Sequence, residues 1–202
     1  MYNAKKIILF VTIILSLFYS LHFCENAFSA PFMDGSFEIG IDPGEFTQLI
    51  AGSTAITGWK VVGENIDYIG TIWKAMDGLR SLDLNGSCGI GGIEQTFDTI
   101  AGHWYRVTFW MAGNVGGGPD IKTLKVTVTG NSFEIYAFDI KGSNPLTWVE
   151  KTYTFFAHGS TVTLSVISTS INDIQIGSDC WGPKFDHVSV EDLTIYLPLI
   201  IK

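Results

Sequence analysis

Residues 104–111 read "WYRVTFWM". In an extended chain successive side chains point to opposite faces, so Tyr105, Val107, Phe109 and Met111 share one face and Arg106, Thr108 and Trp110 the other. That is a strand with one buried side and one open side. The same period recurs downstream. Leu124, Val126 and Val128 alternate with Lys125, Thr127 and Thr129; Val162, Leu164 and Val166 alternate in "TVTLSVIST"; Phe185, Val188 and Val190 lie in or beside a last strand. Further strands are expected at 59–62, 66–69, 81–84, 93–97, 132–139 and 148–157, bounded by Gly, Asn, Asp and Pro. Helix patterns are almost absent. About ten short strands with turn signals between them predict an all-β fold, a two-sheet antiparallel β-sandwich or jelly roll. No internal repeat, low-complexity linker or second domain is evident.

The N-terminus belongs to a different class of sequence. Lys5 and Lys6 precede an apolar run from Ile7 to Phe18, and small residues follow at Ala27, Ser29 and Ala30. This is the layout of a secretory signal peptide over 1–29, with cleavage after Ser29. The alternative is an uncleaved anchor, although a stable span wants about 20 apolar residues. A lipid attachment at Cys24 is disfavoured by the bulk of His22 and Phe23. The domain then runs over 30–191, followed by a short apolar tail over 192–202, which is too short to cross a bilayer. The tail packs along a sheet edge or contacts another cell-wall or surface protein.

Without the leader, the formal charge of −8 becomes about −9, because Lys5, Lys6 and Glu25 leave with it. So acidic a chain is a poor partner for nucleic acid or an anionic membrane surface, and membrane insertion of the mature chain is not expected. It suits a neutral partner such as a sugar. Cys88 and Cys180 remain, either as a disulfide in an exported chain or as two buried thiols.

Several motifs carry no chemistry. "DGSFEIGIDPGE" (34–45) mimics a calcium loop, but Ile39 stands where glycine is needed and Pro43 where a helix should begin. "GNVGGGPD" (113–120) lacks the Lys-Ser/Thr of a phosphate loop. His103, His158 and His187 have no metal spacing. Asp186 and His187 are adjacent on one strand and should face opposite ways. Asn85-Gly86-Ser87 is a glycosylation sequon that matters only in a eukaryotic host.

A ligand surface is suggested by the open side of 104–111. Trp110 beside Thr108 and Arg106 offers a ring face for sugar C–H groups and polar donors at its edge. Tyr68 and Trp73, flanking Gly70, form a candidate second aromatic wall, and Asn114 a candidate amide at the strand end. The alternative is that these aromatic residues merely cover the sandwich edges. "MDGSFEIG" (33–40) raises a separate question. It reads as a short apolar strand, yet carries Glu38, whose carboxylate must face solvent or find a partner.

The motifs "DGSFEIG" (34–40), "GSTAITGWKVVGENIDYIG" (52–70), "AMDGLRSLDLNG" (75–86), "GGIEQTFDTIAGHWYRVTFWMAGN" (91–114), "KTLKVTV" (122–128) and "GPKFDHVSV" (182–190) together resemble the choice-of-anchor C group of bacterial surface proteins. That group is related to plant cell-wall proteins carrying a domain of unknown function. The resemblance implies a galactose-binding-like jelly roll, secretion or display on the cell surface, polysaccharide as partner and no catalysis. The opening motif also resembles β-sandwich carbohydrate-binding modules, in which a structural calcium ion ties the first strand to the last. Carried over on matching positions, this implies Glu38, Asp77, the carbonyl of Arg80 and Asp186 as calcium ligands. The alternative is a surface ion pair of Glu38 with Lys184 or Arg80.

Overall fold

The computed structural model describes residues 30–141, 147–171 and 180–194. They form eleven strands in chain order: β1 (Phe46–Ile50), β2 (Lys60–Gly63), β3 (Asn65–Ile69), β4 (Ser81–Asp83), β5 (Gly91–Asp98), β6 (Trp104–Gly113), β7 (Ile121–Val128), β8 (Glu134–Asp139), β9 (Val149–Phe156), β10 (Thr161–Ser168) and β11 (Pro183–Asp192). A six-stranded sheet has the order β1-β3-β4-β11-β6-β9 and a five-stranded sheet the order β2-β5-β10-β7-β8. Every neighbouring pair is antiparallel. This is the two-layer sandwich that the alternation predicts.

The inward faces are those read from the sequence. Val107, Phe109 and Met111 on β6, and Leu124, Val126 and Val128 on β7, are fully buried. Phe109 packs 5.2 Å from Phe185, ring centre to ring centre. The outward face of the five-stranded sheet is largely Thr and Ser, with Thr96 and Thr163 sharing a hydrogen bond of 2.8 Å. Among the described residues no helix is long and apolar enough to cross a membrane. The proposed leader and most of the tail lie outside the described residues; at the start of the tail, the Leu193 N–H donates to the Trp104 carbonyl at 2.8 Å.

Three expectations need correction. First, 33–40 is not a strand. Asp34 and Phe37 adopt positive φ of 48° and 60°, and the Asp34 carboxylate accepts the Ile39 N–H at 3.2 Å. Such local side-chain bonding competes with strand pairing, and it turns the Phe37 ring into the core between Trp59 and Phe185. Second, β1 is an edge strand missed by periodicity, because Leu49 is its one fully buried residue. Third, β11 carries an extra residue against β6 between Asp186 and Ser189. A bulge of this kind breaks strict alternation. His187 sits there at φ 50°.

Cys88 and Cys180 are bonded, 92 residues apart in sequence. They sit where β4 and β11 leave the sheet side by side. In the chain-entropy description a loop of this length is worth roughly 4 kcal/mol. Cys88→Ser with Cys180→Ser is therefore expected to lower the unfolding free energy by up to about 4 kcal/mol, read as a reduced urea midpoint at unchanged slope.

Candidate functional site

The segment 71–80 connects β3 to β4 and lies across the outer face of the six-stranded sheet. Two carboxylates hold it by its backbone. Glu38 Oε1 accepts the N–H groups of Leu79 at 2.9 Å and Arg80 at 2.8 Å. Asp186 Oδ2 accepts those of Met76 at 2.7 Å and Asp77 at 3.1 Å, while its Oδ1 accepts that of His187 at 2.7 Å. Gly78 at φ +63° permits the approach, since a Cβ there would lie 2.4 Å from Glu38 Oε1. Asp186 is fully buried. Burial pushes its carboxyl up to about 7, against the pull of the three N–H groups.

The side chains expected at a calcium site are thus gathered at one loop, with both Asp186 oxygens and Oε1 of Glu38 engaged by backbone N–H groups. Asp77 Oδ2 faces His187 Nδ1 at 3.2 Å. Arg80 donates from Nη1 to the Tyr68 hydroxyl at 2.7 Å. No group of three or more His, Cys, Asp or Glu that could hold a metal ion occurs among the described residues. Glu38 makes no side-chain ion pair with Lys184 or Arg80; Arg80 contributes its backbone N–H instead. The β11 bulge also brings Asp186 and His187 to the same loop, where alternation had placed them on opposite faces.

Trp73 stands at the centre of this covering segment. Its Nε1 donates to Ser81 Oγ at 2.9 Å, and the Lys184 ammonium lies 4.1 Å from its ring centre. It therefore forms a ridge lining three concavities. One, of about 370 Å³, is walled by Trp73 and Trp148 over a floor of Ala112 and Lys184, with Lys74 and Met76 at the rim. A second, of about 510 Å³, runs towards Asp67, Asp83, Asn114 and Trp181. A third, of about 600 Å³, lies towards Pro43, Leu79 and Arg80. Trp148 donates from Nε1 to the Lys74 carbonyl at 3.4 Å, which ties the far wall to the covering segment.

Of the residues expected to meet a ligand, Arg106, Thr108, Trp110, Trp73 and Asn114 lie on this outer face or at its end. Trp110 is half-buried and pairs across the strands with Glu150. Trp148, two residues before Glu150, shares its face. Arg106 is drawn towards Glu191 at 3.5 Å. Tyr68 is a correction: it is fully buried, and its hydroxyl donates to the Phe37 carbonyl at 2.5 Å, so it offers no face to a ligand. Asn114 is committed as well, donating to Asp83 Oδ2 at 2.7 Å and accepting the Gly116 N–H at 2.9 Å.

Residues that the sequence reading passed over complete the end of the site. Asp83 is buried; its Oδ1 accepts the N–H groups of Asn85 and Gly182, both at 3.0 Å. Burial pushes its carboxyl up to about 6. Lys122 is fully buried and donates to the carbonyls of Gly117 at 2.7 Å and Trp181 at 2.5 Å. It pins together the two loops on which Asn114 and Trp181 stand, and burial lowers its amine to about 8. Trp181 lies on Gly117, where a Cβ would come within 2.3 Å of the indole.

Asp186→Ala would strand the N–H groups of Met76 and Asp77 over the sheet. We expect a loss of about 3 kcal/mol in urea unfolding. Hydrogen exchange of those two amides should quicken far more than that of the β7 amides.

Halomucin of Haloquadratum walsbyi (strain DSM 16790 / HBSQ001) is 32% identical over 152 residues, 72% of this chain; the matched segment is 2% of that relative's length. Among solved structures, the CBM35 from Paenibacillus barcinonensis is similar over 72% of this chain and 98% of its own, at 20% identity and a TM-score of 0.47. A family 35 carbohydrate binding module from Clostridium thermocellum matches over 71% of this chain and 97% of its own, at 15% identity and a TM-score of 0.48. TmCBM61, solved with β-1,4-galactotriose, covers 81% of this chain and 98% of its own, at 17% identity and a TM-score of 0.47. Residues 30–191 match the family described as "Protein of unknown function (DUF642)", and the chain belongs to that family.

Proposed function

We propose that this domain binds a polysaccharide without chemical turnover, through the outer face of the six-stranded sheet. One observation carries the reading: three half-buried tryptophans, Trp73, Trp110 and Trp148, lie on the same outer sheet face instead of entering the core, two of them walling one groove. Indole faces accept sugar C–H groups, and Thr108, Thr152 and Arg106 along the same strands supply donors for ring hydroxyls. Affinity in the millimolar to micromolar range, about −4 to −8 kcal/mol, suits such an open site. A secreted or surface location, and the closer kinship with choice-of-anchor C proteins, belong to this proposal.

An adhesive role remains the second reading, favoured by the edge strand β8. There Ile135 is 58% exposed and Phe133, just before it, 60%. An open apolar edge invites another chain to pair.

Calcium at Glu38, Asp77, Arg80 and Asp186 is a further proposal. As placed, these residues form no ready cation group among the described residues: both Asp186 oxygens and Oε1 of Glu38 already accept N–H groups, so an ion would need the loop to rearrange. At ten times its dissociation constant, bound calcium would add about 1.4 kcal/mol of stability. A melting curve unchanged between calcium and chelator removes calcium and leaves the amide contacts as the tie.

For the saccharide, a glycan array and affinity electrophoresis of wild type, Trp110→Ala and Trp148→Ala decide. A loss of about fivefold or more is expected in one or both variants, since stacking on one indole is worth about 1 kcal/mol or more. Full retention in both removes this face from the site.

A further inference from the structure

Lys184 is the most poorly matched charge on this face. Its side chain is buried, with the residue 6% exposed, and its ammonium carries three donors. Its contact is the face of Trp73 at 4.1 Å; no hydrogen-bond acceptor and no ion-pair partner for it occurs among the described residues. Its cross-strand neighbour Asp83 attracts it through space but makes no direct contact, spending its oxygens on Asn85, Gly182 and Asn114. A desolvated cation without acceptors is costly to keep. Among the described residues, the polar side-chain atom that is both sealed from solvent and unbonded is Asn65 Oδ1, so the Lys184 ammonium retains an opening. That opening is the groove between Trp73 and Trp148.

Lys74, exposed on the rim of the same groove, likewise faces no carboxylate in ion-pair contact among the described residues. Elsewhere Lys60, Arg106 and Lys141 each meet an acidic side chain, Arg80 and Lys122 meet neutral acceptors, and Lys125 lies over the Phe133 ring. In a chain with 20 acidic and 12 basic residues, two unmatched lysines in one aromatic-walled groove are a local reversal of the overall charge.

Resting on the saccharide reading above, we infer that this groove takes an anionic sugar unit, whose carboxylate or sulfate accepts hydrogen bonds from Lys184, with Lys74 at the rim and the pyranose ring against Trp148. Charge-assisted bonds of this kind are shorter and stronger than neutral ones. The net negative charge repels polyanions in general, so discrimination comes from the unit that reaches Lys184 and not from bulk attraction.

The test uses the full domain in the presence of chelator. Binding is measured to sodium alginate, to carboxyl-reduced alginate, to dextran sulfate, and to an array of neutral and acidic glycans. Wild type should prefer an anionic polymer over the carboxyl-reduced one by about tenfold or more. Preference for alginate assigns the carboxylate, and preference for dextran sulfate the sulfate. Lys184→Met should abolish the preference while retaining residual binding that Trp148→Ala removes. Lys74→Gln, on the exposed rim, should lower affinity for the anionic polymer by about threefold and leave the fold intact. Binding to neutral glycans alone, equal binding to alginate and its reduced form, or an unchanged Lys74→Gln overturns the anion assignment and leaves the saccharide reading standing. Binding to no glycan overturns both.

Discussion

The outer face of this sandwich exists in its present shape because two carboxylates bond to the same short piece of backbone. Glu38 comes from the opening turn and Asp186 from the middle of β11, and both accept N–H groups of residues 76–80. Neither uses an opposite charge to do so. Backbone N–H groups over a sheet must be bonded to something, and a carboxylate that accepts several of them is held in place as firmly as it holds. The segment from Ile69 to Ser81 would otherwise be a long exposed connection. Held at its far end, it lays Trp73 over Lys184 and raises the ridge that divides the face into grooves.

A second buried arrangement fixes the adjoining end. Asp83 gathers N–H groups from 85 and 182 together with the Asn114 amide, and Lys122 gathers the carbonyls of 117 and 181. Here an acid collects donors and a base collects acceptors, each at a chain crossing. The disulfide lies alongside. The loops bearing Asn114 and Trp181 are therefore braced from beneath, and the groove beside them has a firm wall. Affinity from shallow stacking sites depends on such preorganisation, because little binding energy is available to order the receptor.

Much of the fold was legible because core burial and strand period are the same signal. "WYRVTFWM" alternates without interruption, and its inner and outer faces fall as read. Failures cluster where local bonding beats period. In 33–40 the Asp34 side chain caps its own turn, so an apolar pattern was read as a strand. In β1 one fully buried residue is too few to show alternation. In β11 a single inserted residue brings His187 and Asp186 to the same loop. Tyr68 was misplaced for a different reason. A tyrosine is equally at home on a sugar face or in a core that offers its hydroxyl an acceptor, and the Phe37 carbonyl is 31 residues away in sequence. Lys184 shows the same limit. Its surroundings depend on the path of a loop more than 100 residues earlier, which no local pattern encodes.

The placement of β11 has a consequence for how such a domain comes into being. The last of the described strands sits in the interior of its sheet, between β4 and β6, neither of which pairs with the other. Until it emerges, a nascent chain on the ribosome has two half-sheets with an open slot and no way to seal them. Folding must wait for nearly the whole domain to be synthesised, as expected where long-range pairings dominate. Through that interval the open strand edges are prone to pair with the wrong neighbour.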